Sequence, residues 1–152
     1  MLLFLRAVTI ALLLIGATSA SQADDRADVM AANQAFEQAF SSRDIQAIEG
    51  AWAHDASVTI VHPISKVPLV GWNAVRKSWE GALSRYADIS VTMEDPLVAL
   101  TSGAAWVIGV EKVRGRRTTG ENVEFSVLTT NIYEKRDGRW FMVHHHGSRM
   151  PQ

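Results

Sequence analysis

Residues 123–148 read VEFSVLTTNIYEKRDGRWFMVHHHGS, and this stretch decides the fold. Apolar and polar residues alternate over Val123–Lys135, break at Asp137-Gly138, and alternate again over Trp140–Ser148. Alternation of period two marks a strand with one buried face. Asp-Gly between two such runs is a hairpin signal, because both positions of a tight primed turn need positive φ. Upstream, Ala104–Val113 reads as another long strand, joined through a polar turn, Arg114–Glu121, that holds Gly115 and Gly120. Before it, Ile89, Val91 and Met93 alternate with polar residues. Glu94-Asp95-Pro96 should interrupt that strand, since proline removes a ladder donor. Val98 and Leu100 continue it, and Ser102-Gly103 turns the chain.

The half before residue 87 has a different period. Val29, Ala32, Phe36 and Phe40 fall three and four apart, which makes one apolar stripe of a helix over Asp28–Phe40. Ser41-Ser42-Arg43-Asp44 breaks it, and Asp44 is placed to cap a short second helix with Ile45, Ile48 and Trp52. Val58–His62 is a short strand stopped by Pro63, and Pro63–Gly71 a loop with a second proline, Pro68. Asn73 can cap a third helix in which Val75, Trp79, Ala82, Leu83 and Tyr86 share a face. Three helices followed by a twisted antiparallel sheet form an α+β layer architecture. A cavity between the two layers is where function would reside.

Composition narrows the function. The 152 residues fit one domain, with 20% charged and 47% apolar residues, enough for a packed core. A formal net charge of −1 offers no electrostatic case for nucleic acid or an anionic membrane. The absence of cysteine excludes disulfides, thiolate metal sites and a cysteine nucleophile. No glycine-rich phosphate loop, dinucleotide fingerprint or nucleophile-elbow serine occurs. Residues 1–23 carry Arg6, an apolar run over Ala7–Ile15 and small-residue sites at Thr18-Ser19-Ala20 and Ser21-Gln22-Ala23. That pattern predicts a cleaved signal peptide over 1–23. The remaining domain, 24–152, is then expected to be periplasmic or secreted and free of the membrane. The apolar run is shorter than a spanning helix needs.

Few residues could carry chemistry. His144, His145 and His146 lie in the last strand, where strict alternation puts His144 and His146 on one face with Trp140, Met142 and Ser148. His145 then shares the other face with Phe141 and Val143. Two imidazoles without a third ligand make a poor metal site, so neither a metal nor another cofactor is expected. His62, before Pro63, titrates near neutral pH and suits a general base at a cavity mouth. Glu111, Thr129 and Asn131 sit in central strands, where polar groups are costly unless paired or facing a pocket. Arg114, Arg116 and Arg117 form a basic cluster expected to be solvated.

Several segments in order resemble the SnoaL-like branch of the nuclear-transport-factor-2-like superfamily. These are Ala53-His54-Asp55-Ala56, Val61-His62-Pro63, Leu69-Val70-Gly71-Trp72 and Ser78-Trp79. They continue with Thr130-Asn131, Asp137-Gly138-Arg139-Trp140 and Val143-His144-His145-His146-Gly147-Ser148. The resemblance implies a cone-shaped, cystatin-like roll with a pocket between helices and sheet, and a homodimer packed through the sheet. Against the steroid isomerases of the superfamily, His62 lies near the place of the catalytic aspartate. Phe36 stands for the oxyanion-hole tyrosine, and a residue near Thr130 for the second oxyanion-hole acid. The association domain of calcium/calmodulin-dependent kinase shares the Asp-Gly-x-Trp and His-x-His-x-Ser patterns. Its basic pocket residues correspond here to Glu111 and Asn131, so its anion site is not implied. Iota-class carbonic anhydrases share a tail like His144–Pro151, with serine in place of Gly147.

The resulting expectation is a pocket for a small, largely apolar molecule, with proton-transfer chemistry of isomerase or dehydratase type. His62 is the base, with Asn131 and His146 orienting the substrate. Trp72, Trp79, Glu111, Thr129, His144 and Ser148 contact the ligand. The alternatives are an iota-type carbonic anhydrase and a non-catalytic dimerisation module, the latter favoured if Trp72, Trp79 and Phe125 fill the cavity.

Overall fold

Asp44 shows how local chemistry starts an element. Its carboxylate accepts the backbone N–H groups of Gln46 at 2.9 Å and Ala47 at 3.0 Å. This cap satisfies two donors the helix itself leaves orphaned. The computed structural model describes residue 22 and residues 24–151. In it α1 spans 24–41, α2 Ile45–Ala51 and α3 Trp72–Leu83. The strands are β1 Thr59–Val61, β2 Leu69–Val70, β3 Tyr86–Leu100, β4 Ala104–Arg117, β5 Asn122–Arg136 and β6 Arg139–Arg149. The expected signal peptide falls almost wholly outside the described residues. Among those residues no helix is long and apolar enough to cross a membrane.

The six strands form one curved sheet in the order β2-β1-β6-β5-β4-β3. Three helices cover its inner face, as the α+β reading requires. The core joins the layers through Val29, Phe36, Ile48, Trp52, Val75 and Trp79 on the helical side and Val107, Tyr133 and Met142 on the sheet. The sheet is mixed rather than antiparallel: β1 runs parallel to β6, with Thr59 opposite His144 and Val61 opposite His146. A parallel pair needs a long connection, and nearly eighty residues lie between these two strands.

Other local expectations change: Tyr86 begins β3 instead of lying on the third helix, and Leu69–Val70 pairs with β1 inside the expected 63–71 loop. Helix α3 begins one residue after Gly71, whose φ of +85° and carbonyl start the helix without a side-chain cap, while Asn73 lies exposed within it. The Glu94-Asp95-Pro96 segment interrupts the regular pairing, and Val98 and Leu100 continue the strand, as expected. It forms a bulge, with Asp95 at φ +45°, on an edge strand where a missing donor is tolerated. The polar turn shrinks to residues 118–121, because Arg114 pairs across the sheet with Glu124 and Arg116 with Asp88. Asp137 and Gly138, at φ +49° and +78°, form the expected tight hairpin.

One irregularity matters most for function. Ile132 pairs with His144 and Tyr133 with Met142, which leaves Val143 as an extra residue in β6. A one-residue bulge reverses the alternation beyond it. Trp140 and Met142 point inward, but so do His145 and Gly147. His144, His146 and Ser148 therefore stand on the outer face, not with Trp140 and Met142.

Candidate functional site

A cavity of about 530 Å³ lies between α1, α3 and the inner face of the sheet. Its walls are Phe36, Phe40, Trp79, Val91, Val113 and Phe125. Trp79 packs edge-on against both Phe36 and Phe40, with ring centroids 5.3 Å apart in each case. His62, His145 and Glu111 bring polar, titratable groups against these apolar walls.

His62 follows β1, and its backbone N–H donates to Ser65 Oγ at 2.9 Å. Ser78 Oγ donates to the Val75 carbonyl at 2.7 Å and lies 3.1 Å from His62 Nε2. With the serine proton committed, His62 must donate from Nε2, which leaves Nδ1 as its acceptor. Burial against the face of Trp79, together with the charge of Arg85, lowers its pKa to about 4. The ring is neutral at physiological pH.

His145 is held by a buried chain of amides. The Met93 amide donates to Glu37 Oε2 at 3.1 Å, and Glu37 Oε1 accepts from Asn33 Nδ2 at 2.6 Å. Asn33 Oδ1 then accepts from Tyr133 OH at 3.0 Å and from Asn131 Nδ2 at 2.8 Å. Asn131 Oδ1 is thereby turned toward His145 Nδ1, 2.7 Å away. Each orientation dictates the next, so Nδ1 carries the proton and Nε2 keeps its lone pair. Complete burial holds this imidazole neutral, with His62 and its two neighbouring histidines adding to the effect.

Glu111 is 6% exposed, and its Oε1 has no hydrogen-bond partner. Burial raises its pKa to about 7; the Thr129 hydroxyl beside it opposes the rise and the charge of Glu37 adds to it. A buried, unpartnered carboxyl that is half protonated near neutral pH is a functional-site feature.

The cavity brings together His62, Trp79 and Glu111 from the expected set. Asn131 lies fully buried behind His145 and orients it, rather than facing the cavity. Thr129 is fully buried in the inner face, with its hydroxyl beside Glu111. Trp72 points away and stacks on His54, with centroids 4.2 Å apart. The outer-face placement corrects three more pocket residues. His144 Nδ1 bonds Thr59 Oγ1 at 2.6 Å, and His146 Nε2 lies 3.3 Å from Ser148 Oγ. Trp79 and Phe125 line the cavity without filling it. Among the described residues no three His, Asp or Glu side chains converge as a metal site needs.

His145 escaped the sequence reading because alternation alone cannot locate a bulge. The buried Asn33–Glu37 pair left a fainter signal, two polar residues four apart beside the apolar stripe of α1. Arg117 was read as part of a solvated cluster, yet it is half-buried and lines the mouth of the cavity.

Known proteins share this fold. A proposed dehydratase of the NTF2-like family from Streptomyces avermitilis superposes with a TM-score of 0.77 at 23% identity, over 85% of this chain and 98% of that one. A proposed calcium/calmodulin-dependent protein kinase type II association domain from Thiobacillus denitrificans gives 0.70 at 26%, over 80% and 94%. The F-box protein SKIP8 of Arabidopsis thaliana is 26% identical over 123 residues, 80% of this chain and 49% of that protein. The chain thus spans about half the length of that relative. Residues 29–152 match the SnoaL-like domain, which takes in both the helical layer and every strand of the cone, and the chain belongs to that family.

Proposed function

We propose that this SnoaL-like domain binds a small, largely apolar molecule in the 530 Å³ cavity and moves a proton on it, as an isomerase or dehydratase does. The observation that carries this reading is His145. A neutral imidazole is locked in one tautomer by four buried partners, and its free Nε2 belongs to a ring on the cavity wall. Such a nitrogen takes a proton from substrate carbon or oxygen without first losing one to water. Glu111, with a pKa of about 7, supplies the matching proton donor. His62 accepts a substrate hydroxyl at Nδ1. Glu111 ionises at about pH 7 and then no longer donates, while His62 becomes charged at about pH 4 and then no longer accepts the substrate hydroxyl. Proton-transfer activity should therefore follow a bell with those two limbs.

The outer sheet face supports a homodimer. Leu97 and Leu128 are 71% and 51% exposed there, and Trp106 adds 37%. Apolar side chains left in water on one sheet face suit a second copy of the same face. Export of the domain rests on the small-residue and apolar pattern of residues 1–23.

Native mass spectrometry of untagged protein tests the reading. A dimer carrying an organic molecule supports it, and the molecule names the substrate to assay. If His145→Gln retains full activity on that substrate, His145 is not the base.

A further inference from the structure

The cavity has a charged rim that its apolar walls do not explain. Lys77 and Arg85 come from α3 and the turn after it, Arg117 from the end of β4 and Arg149 from the end of β6. Four cations from four places in the chain thus line one mouth. Arg117 is paired with Glu121 at 3.2 Å, and its guanidinium lies over Tyr86. Arg149 lies over Phe125, 4.8 Å from the ring centre. Among the described residues Lys77, Arg85 and Arg149 have no carboxylate within ion-pair distance, although seven other Lys or Arg side chains, Arg117 included, are so paired. Glu111 is the one acid on the cavity wall, and it is buried at the inner end.

This clustering runs against the whole molecule, whose formal charge is −1. Uncompensated like charges repel one another, and rims without a function mix both signs. A cationic ring over a low-dielectric cavity focuses potential into it and attracts an anion whose body is apolar. The two arginines that lie over Tyr86 and Phe125 are held against the aromatic wall, which lowers the entropy lost on pairing. These cations are not at Glu111 and Asn131, the positions where the kinase association domain would carry its basic residues.

We infer that the ligand is an amphipathic anion: an apolar body that fills the cavity, with a carboxylate, sulfonate or phosphate group held at the mouth by Lys77, Arg85 and Arg149. This inference rests on the pocket reading above and adds the charge of the ligand. The inner end then faces the uncharged part of the molecule, where His145, His62 and Glu111 act.

Two fluorescent probes share one aromatic frame and differ in charge. 8-Anilinonaphthalene-1-sulfonate carries a sulfonate, and N-phenyl-1-naphthylamine does not. Titration of the protein with each, at low and at high salt, should show the sulfonate binding about tenfold more tightly, with that advantage lost at high salt. The triple variant K77Q/R85Q/R149Q should bind the two probes equally, with the neutral probe unchanged. The variant R114Q/R139Q, which removes charge away from the mouth, should keep the preference. Equal binding of both probes to the unmodified protein overturns the charge inference and leaves the pocket reading standing. A preference that survives in the triple variant also overturns it. Binding of neither probe overturns both readings.

Discussion

The inner and outer faces of β6 carry the same residue type with opposite fates. His145 is buried and ends a chain that runs through Asn131 and Asn33 to Glu37. His144 and His146, one residue to either side, stand on the outer face and touch only Thr59 and Ser148 by hydrogen bonds. Identical side chains thus differ in burial, orientation and hydrogen bonding because of the pleat and one bulge. Burial, rather than residue type, makes an imidazole chemically distinct.

The comparison breaks most clearly on the inner face. His145→Ala should cost about 3 kcal/mol, since it opens a cavity and leaves Asn131 without its partner. His146→Ala should stay within about 0.5 kcal/mol. Denaturant unfolding of the two variants measures the difference, and equal losses would place the histidines in equivalent surroundings.

Glu111 and its neighbour Lys112 sharpen the same contrast through pH. A buried carboxyl whose pKa rises from 4.5 to about 7 favours the folded state while protonated. That contribution is fully present below about pH 4.5 and is lost as pH rises through about 7. Glu111→Gln should therefore match the parent near pH 4.5 and exceed its stability by ~3 kcal/mol at pH 8. His62 acts in the opposite sense. Its pKa falls from 6.5 to about 4, so its contribution is present above 6.5 and is lost as pH falls through 4. Lys112→Gln, on the outer face, should leave the curve nearly unchanged. Thermal unfolding from pH 4 to 8 reads all three slopes.

Gly147 and Ser148 make a smaller pair. A side chain at Gly147 would meet Val127 Cγ1 at 2.9 Å and Pro63 Cγ at 3.1 Å. Gly147→Ser should cost about 1–2 kcal/mol and displace the loop that carries His62. Ser148→Ala should be neutral. Leu128→Asp, on the exposed outer face, should stay within about 0.5 kcal/mol for the isolated chain. If the proposed dimer forms through this face, the parent should sediment as a dimer and Leu128→Asp as a monomer.

The sheet was legible because its signals are local. Alternation over Val123–Lys135 and the Asp137-Gly138 turn each depend on a few adjacent residues. Asp44 was legible as a cap for the same reason. Asn73 was misplaced, because Gly71 starts the helix with a backbone conformation that other residues rarely adopt. Glu111 and Trp79 were legible as cavity-lining residues from their type and strand or helix position, and His62 from its place before Pro63. His144, His146 and Ser148 were assigned to the wrong side, since pattern reading carries the alternation straight through Val143.

By itself the chain determined its element types, their order and the apolar faces that fold them together, because propensity and periodicity act within a few residues. Tertiary structure alone decided the parallel seam between β1 and β6, the bulge that turns His145 inward, and the gathering of Lys77, Arg85, Arg117 and Arg149 at one mouth. Those features join residues dozens of positions apart. Their energies come from packing and hydrogen bonds between elements, which no local pattern records.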